Sequence, residues 1–154
     1  MKVSEIMTGQ LATVDRSDSV AFAEDMMNAN RVRHLPVVDG DVLVGIVTQR
    51  DVLAASVPSV SAPSEDDDRE MKSRLRVERI MRGYVETVAP DSEAIEAADR
   101  LLLHKIGCLP VVDERKHVLG IVTEADFVRL ARDLLVALEE ARARVSERRT
   151  RRAR

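Results

Sequence analysis

The chain is written twice, and this repetition limits its possible folds more than any other feature. Adding 74 to a position in the first half finds a counterpart in the second. Ile6-Met7 meets Ile80-Met81, Thr13-Val14 meets Thr87-Val88, and LPVVD recurs at 35–39 and 109–113. One extra residue in the loop ERKH moves the offset to 75, after which GIVT at 45–48 meets GIVT at 120–123 and Asp51 meets Asp126. Shared composition does not keep register from Ile6 to Asp51. The halves descend from a duplication, and each must be read with the other in view.

Both halves give the same coarse pattern. A short extended piece carries the Thr-Val pair. A helix follows over 17–30, with Val20, Ala23, Met27 and Ala29 largely along one side, and again over 92–104 with Ile95, Ala98, Leu101 and Leu102. Asp18 and Ser92 are suitable caps near the two starts. Two β-branched strands come next, LPVVD and the run ending in GIVT, joined in the first half by a tight turn at DGD. A final helix begins at Thr48 or Thr123. The order is β-α-β-β-α, an α/β (α+β) class in which helices cover a small sheet.

The halves are separated by SVPSVSAPSEDDDRE at 56–70, rich in Ser and Pro and ending in acids, which reads as an exposed, solvated linker. After Asp126 the last helix runs on. Phe127, Leu130, Leu134, Leu138, Ala141 and Val145 form an amphipathic stripe suited to packing back on the domain or pairing with a second chain. The expected organisation is a first repeat over 1–56, a linker over 57–74, a second repeat over 75–131, and a helix with an arginine-rich tail over 132–154.

Composition removes several classes of function. With 45% apolar and 33% charged residues and a net charge of −3, the chain has a soluble balance and no overall attraction to nucleic acid or anionic membrane. The tail ERRTRRAR reads as a short solvated end. Its salt-dependent contact with nucleic acid is the weaker alternative. The longest apolar runs are too short to cross a bilayer, no signal segment opens the chain, and one cysteine, Cys108, forms no internal disulfide, so a cytoplasmic location is expected. Phe22, Tyr84 and Phe127 are the only aromatics, too few for a base-stacking platform. A planar ligand would have to lie between aliphatic side chains.

The pair GIVTQRD and GIVTEAD carries two readings. Threonine followed three residues later by an acid is a capping box, with the acid favoured by the positive end of the helix. Yet aspartate is a short reciprocal cap and both halves use it. Both also place glycine three residues before the threonine, where a missing side chain lets something approach the backbone. A helix starting at a strand end offers free N–H groups to an anion, and an acid one turn in is placed to accept ribose hydroxyls. Cap and ligand site can coexist.

The sequences VSEIMTGQLATV…LPVVDGDVLVGIVTQRD and VERIMRGYVETVAP…LPVVDERKHVLGIVTEAD together resemble two cystathionine β-synthase (CBS) domains in tandem, the CBS pair or Bateman module. The resemblance runs from residue 3 to about 129, with no catalytic or transporter domain attached. It implies two repeats packed about a pseudo-two-fold axis, leaving two clefts for adenosine-containing ligands: AMP, ADP or ATP, and less often S-adenosylmethionine or NAD. It assigns Thr48 and Thr123 to phosphate or ribose, Asp51 and Asp126 to ribose hydroxyls, and the surroundings of Thr13, Val14, Thr87, Val88, Pro36 and Pro110 to adenine. Arg33 and His34 stand where the second half has Gly107 and Cys108, and Arg50 where it has Ala125. Two unequal sites are therefore expected, with a charged nucleotide favoured in one. Cys108 is expected in the packing, and His104 and His117 at the surface, at a spacing that builds no metal site.

The resulting expectation is a non-enzymatic adenine-nucleotide sensor, a homodimer of CBS pairs that changes shape for a regulated partner the sequence does not name. The alternative is an interaction or dimerisation module with no physiological nucleotide. An enzyme is disfavoured because no nucleophile–base set, Cys-x-x-Cys or Gly-rich phosphate loop is present.

Overall fold

The computed structural model describes residues 1–56 and 64–152, with side chains through residue 144. In chain order the elements are β1 (Val14–Asp15), α1 (Val20–Asn30), β2 (His34–Asp39), β3 (Val42–Thr48), α2 (Gln49–Ala54), α3 (Glu65–Arg74), α4 (Ala94–His104), β4 (Cys108–Val112), β5 (Val118–Thr123) and α5 (Glu124–Arg152). The first repeat holds a three-stranded sheet in the order β1-β2-β3, the second a two-stranded sheet of β4 and β5. β1 runs parallel to β2, with Val14 opposite Val37. In the second repeat Val88 makes only an isolated parallel bridge to the equivalent Val111. β2/β3 and β4/β5 are antiparallel, and both slip register at the same place, Val37/Val38 and Val111/Val112. The duplication thus extends to an irregularity of the backbone.

Neither core is closed by its own repeat. Val3, Ile6 and Met7, from the start of the chain, pack with Val88, Leu101, Leu109, Val111 and Val122 of the second repeat. Val77, Ile80 and Met81, their equivalents, pack with Val14, Val20, Leu35 and Val47 of the first. The backbone makes the exchange reciprocal: the N–H of Val3 donates to Ser92 O and that of Val77 to Asp18 O, both at 2.9 Å. Thr8 bridges Ile121 on β5, and Arg82 bridges Ile46 on β3. Val3 and Val77 are fully buried, and each contributes roughly 1.5–3 kcal/mol that its own repeat could not supply. A third cluster, Ile46, Cys108 and Ile121 with Leu11 and Val85, lies between the repeats, and its paired members are equivalent by the offset. These mutual contacts define the pseudo-two-fold axis.

Several expectations need correction. Ser19, not Asp18, caps α1 by accepting from Phe22 N, while the Asp18 carboxylate accepts from Asp15 N in the turn before it. At α4 the cap position falls on Glu93, which makes no cap bond. Its carboxylate is taken by Lys2 and the chain's amino terminus. The apolar face of α4 is also rotated: Ala94, Ala97 and Leu101 are buried, whereas Ile95 and Leu102 are 68% and 77% exposed. On α1 Ala29 is exposed.

The acid-rich stretch is only partly a spacer. Ser64 accepts from Asp67 N and starts α3, whose four acids in the first turn suit the positive helix end. Its Lys72 is buried against α1, with Nζ 2.9 Å from Glu24 and 2.8 Å from Asp68, and Arg69 grips Asp25 through two bonds. Periodicity missed this helix because polar contacts, not an apolar face, dock it. Residues 57–63 of the expected linker lie outside the described residues. Along α5, Phe127 and Leu130 are half-buried, but Leu134 and Leu138 are exposed, so the stripe does not pack back on this chain. The side chains of Val145 and the terminal arginines lie outside the described set.

Candidate functional site

An open cleft of about 710 Å³ lies between the repeats. One wall is the junction of β3 and α2, with Ile46, Thr48, Gln49, Arg50 and Leu53. Arg33 and His34, at the head of β2, stand beside it. The facing wall comes from the second repeat: its leading segment brings Arg82, Tyr84, Val85 and Glu86, the end of α4 brings His104, Lys105 and Ile106, and Gly107, Cys108 and Glu124 complete it. Four cations, Arg33, Arg50, Arg82 and Lys105, thus meet two carboxylates in a protein whose net charge is −3. The apolar part is aliphatic except for Tyr84. Such a mixture suits a ligand with an apolar planar end and an anionic end.

Of the site residues named from the sequence, Arg33, His34, Thr48 and Arg50 line this cleft. Asp51 stands just behind the wall, and its local geometry is the capping box. Thr48 N and Oγ1 donate to Asp51 Oδ2 at 2.8 and 2.6 Å, and Asp51 N donates back to Thr48 Oγ1 at 3.2 Å. The other oxygen, Oδ1, is free of a hydrogen bond and lies 3.6 Å from Arg82 Nη2, on a guanidinium side chain that is 64% exposed. Asp126 repeats the first half of the arrangement, with Thr123 N and Oγ1 donating to its Oδ2 at 2.8 and 2.7 Å. Its Oδ1 accepts from Arg129 Nη1 at 3.1 Å, and the carboxylate is 4% exposed. Asp126 is therefore covered within its own helix, while Asp51 is screened by a side chain from the opposite repeat.

The remaining named residues belong to other surroundings. Val14 and Val88 are buried in the two cores, as are Pro36 and Pro110, so none of the four offers side-chain surface to a ligand. Thr13 and Thr87 are half-buried, and Thr87 O accepts from Arg100. None of these six lines the cleft. The glycines that precede the threonines also have a different purpose. A Cβ on Gly45 would stand 2.6 Å from Met81 Sδ, and one on Gly120 2.8 Å from Thr8 O. What comes close to each backbone is the leading segment of the other repeat.

The cleft also perturbs two ionisable groups. Burial pushes His34 below its ordinary value and the neighbouring Arg33 adds to the effect, against weaker opposing pulls from Glu124 and Asp51. Its ring fills the space beside Gly107, where a Cβ would come within 3.2 Å of it. Burial, and then the charge of Glu124, raises the Cys108 thiol to about 12, so it stays protonated and unreactive at neutral pH. His104 is exposed at the cleft rim. His117 is half-buried instead, its Nδ1 2.9 Å from Asp113 Oδ2. No cluster suited to a metal ion occurs among the described residues.

Comparison with known proteins now decides the family. The sequence model of the CBS domain matches residues 3–58 and again 77–133. The chain belongs to the CBS domain family. A CBS domain-containing protein of Dictyostelium discoideum is 35% identical over 140 residues, covering 90% of this chain and 93% of the relative. The crystal structure of an acetoin utilization protein from Vibrio cholerae is 36% identical with a TM-score of 0.74, over 91% of this chain and 96% of that one. A structure of CBSX2 in complex with AMP is 29% identical with a TM-score of 0.71, over 86% and 97% of the two chains. Other relatives are longer enzymes. In the homoserine O-acetyltransferase of Methanococcoides burtonii, 35% identical over 129 residues, the chain spans 24% of the length.

Sequence reasoning missed Arg82, Lys105, Glu86 and Glu124. Arg82 and Glu86 reach the cleft only because the leading segments are exchanged. Lys105 did carry a signal: it ends α4 in the left-handed conformation, φ 53°, where glycine is the easy choice, and Arg31 does the same after α1 at φ 54°.

Proposed function

We propose that this CBS pair is a non-enzymatic regulatory module that binds an adenine nucleotide in the cleft between its repeats and passes the binding on as a change of shape. The observation that carries the reading is the gathering of four cations, Arg33, Arg50, Arg82 and Lys105, in the wall of one cleft beside the aliphatic Ile46, Leu53, Val85 and Ile106. The base lies among Ile46, Leu53, Val85 and Ile106, the ribose is directed to Asp51, and the phosphates meet the cations and the Thr48 hydroxyl. The complex of CBSX2 with AMP supports this class of ligand. Calorimetric titration of the purified chain with AMP, ADP and ATP tests it. A saturable heat and a rise in melting temperature are expected. Neither, for any of the three at millimolar concentration, would sink the reading.

A second reading, an assembly module, draws on a separate observation. Leu102 and Leu103 on α4, and Leu134, Leu135 and Leu138 on α5, are large apolar side chains left exposed. Their number on two helices fits a homodimer of CBS pairs. Light scattering of the eluted protein distinguishes monomer from dimer, with and without nucleotide. No helix among the described residues is long and apolar enough to cross a membrane. A lone, buried, free cysteine fits work in a reducing cytoplasm.

A further inference from the structure

The two Thr-x-x-Asp ends differ in what occupies the carboxylate oxygen that the cap leaves over. At the first end Asp51 Oδ1 has only Arg82, at 3.6 Å, outside hydrogen-bond distance and on a mostly exposed side chain that lines the cleft. At the second end Asp126 Oδ1 is hydrogen-bonded to Arg129, one turn along the same helix, and the carboxylate is buried. Neither arginine has a counterpart: the offset places Thr8 opposite Arg82 and Ala54 opposite Arg129. The first helix position also differs, neutral Gln49 at one end and Glu124 at the other, and Arg50 is matched by Ala125. Arg82 and Arg50 thus favour an anion at the first end, and the ion pair with Arg129 closes the second.

We infer that each chain takes one nucleotide, at the Thr48–Asp51 end, and that Arg82, delivered by the opposite repeat, is the residue that selects phosphorylated adenosine over the bare nucleoside. Unliganded, Arg82 screens Asp51. An entering ligand replaces that contact: the ribose hydroxyls donate to Asp51 Oδ1, and the released guanidinium turns to the phosphates, where planar paired donors are effective. The exchange leaves neither charge unpartnered, but only for a ligand that carries both a ribose and an anion. Adenosine gives Arg82 nothing in return, and the sulfonium of S-adenosylmethionine would meet a cation.

This inference rests on the nucleotide reading above, and calorimetry of the full chain with adenosine, AMP and ATP separates the two. One site per chain is expected, with affinity rising from adenosine through AMP to ATP. Arg82→Ala should lower ATP affinity by about tenfold to a hundredfold, the worth of a charge-assisted contact, while changing adenosine affinity about twofold or less. Arg82→Lys should restore part of the ATP preference. A melting curve on each variant verifies the fold. Two equivalent sites per chain would overturn the inference and leave the function standing. So would an Arg82→Ala variant that keeps the wild-type preference for ATP over adenosine. Wild-type protein that binds none of the three would overturn the function itself.

Discussion

The two repeats share an ancestor, a backbone irregularity and an exchange of leading segments, yet they use their equivalent aspartates differently. Asp51 keeps one oxygen facing an arginine from across the pseudo-dyad, whereas Asp126 spends both on its own helix. Duplication gave two copies of one capping motif. Divergence turned one end toward a cationic cleft and the other into a helix start for the long α5. The lesson is that Thr-x-x-Asp specifies the helix start, and that the residues around it decide whether a carboxylate oxygen is left for anything else.

The largest expected effect tests whether the exchanged segments are equally tight in the two repeats. At Gly120 an added Cβ would meet a backbone atom, Thr8 O, at 2.8 Å, and Thr8 is itself held by both backbone bonds to Ile121. At Gly45 the nearest atom is Met81 Sδ, the end of a flexible side chain, with Arg82 O farther off at 3.1 Å. Gly120→Ala should therefore cost about 2–3 kcal/mol and Gly45→Ala about 1 kcal/mol, since the ladder carbonyl stands 2.8 Å away at Gly120 but 3.1 Å away at Gly45, where the closest atom is a methionine sulfur that can yield. Urea unfolding of both variants measures the gap. Equal losses would mean that the segments are equally adaptable.

A smaller effect separates a shared backbone feature from a use made of it on one side. Arg31 and Lys105 occupy equivalent left-handed positions after α1 and α4, and a side chain there costs about 1 kcal/mol relative to glycine. Arg31→Gly and Lys105→Gly should each raise the melting temperature by a similar few degrees. Only Lys105 lines the cleft described, so only Lys105→Gly should also weaken ATP binding, by roughly the three- to tenfold worth of one partly screened cation. If Arg31→Gly weakens ATP as much, the second end takes part in binding.

Much of this fold was legible because the repeat let each half check the other. The strands, the β-α-β-β-α order and the helix starts at Thr48 and Thr123 all follow from local pattern. Other features were not local. The apolar Val3, Ile6 and Met7 announce burial but not in which core, and hence Arg82 could not be brought to Asp51 from the sequence. The face of α4 was misread because two of its three buried residues are alanines, while the larger Ile95 and Leu102 point outward. The acid run hid a helix because ion pairs at Lys72 and Arg69, rather than an apolar stripe, hold it in place. Among the residues that line the cleft, the ones read from the sequence, Arg33, His34, Thr48 and Arg50, belong to the first repeat. The missed charged ones, Arg82, Glu86, Lys105 and Glu124, arrive from the other repeat.

The smallest effect concerns protons, and again the halves differ. His34 and Cys108 are equivalent positions, both in the cleft wall. Cys108, at about 12, has no titration in the physiological range, so of these two positions only His34 can respond to pH. Burial, then Arg33, lowers His34 in the folded protein, so near pH 6 the unfolded chain binds more protons than the folded one. Its contribution is fully present above the unfolded value of about 6.5, and stability falls as pH drops through that value toward the lower folded one. His34→Gln should flatten this part of the stability profile. A nucleotide reverses the sign locally, because phosphate beside the ring favours the imidazolium. Binding near pH 6 should then take up protons, and ATP affinity should rise as pH falls. Titrations in two buffers of unequal ionisation heat count the protons taken up. A count of zero at pH 6, or one unchanged in His34→Gln, would show that the phosphates do not reach this side of the cleft and would move the anion toward Arg50 and Lys105.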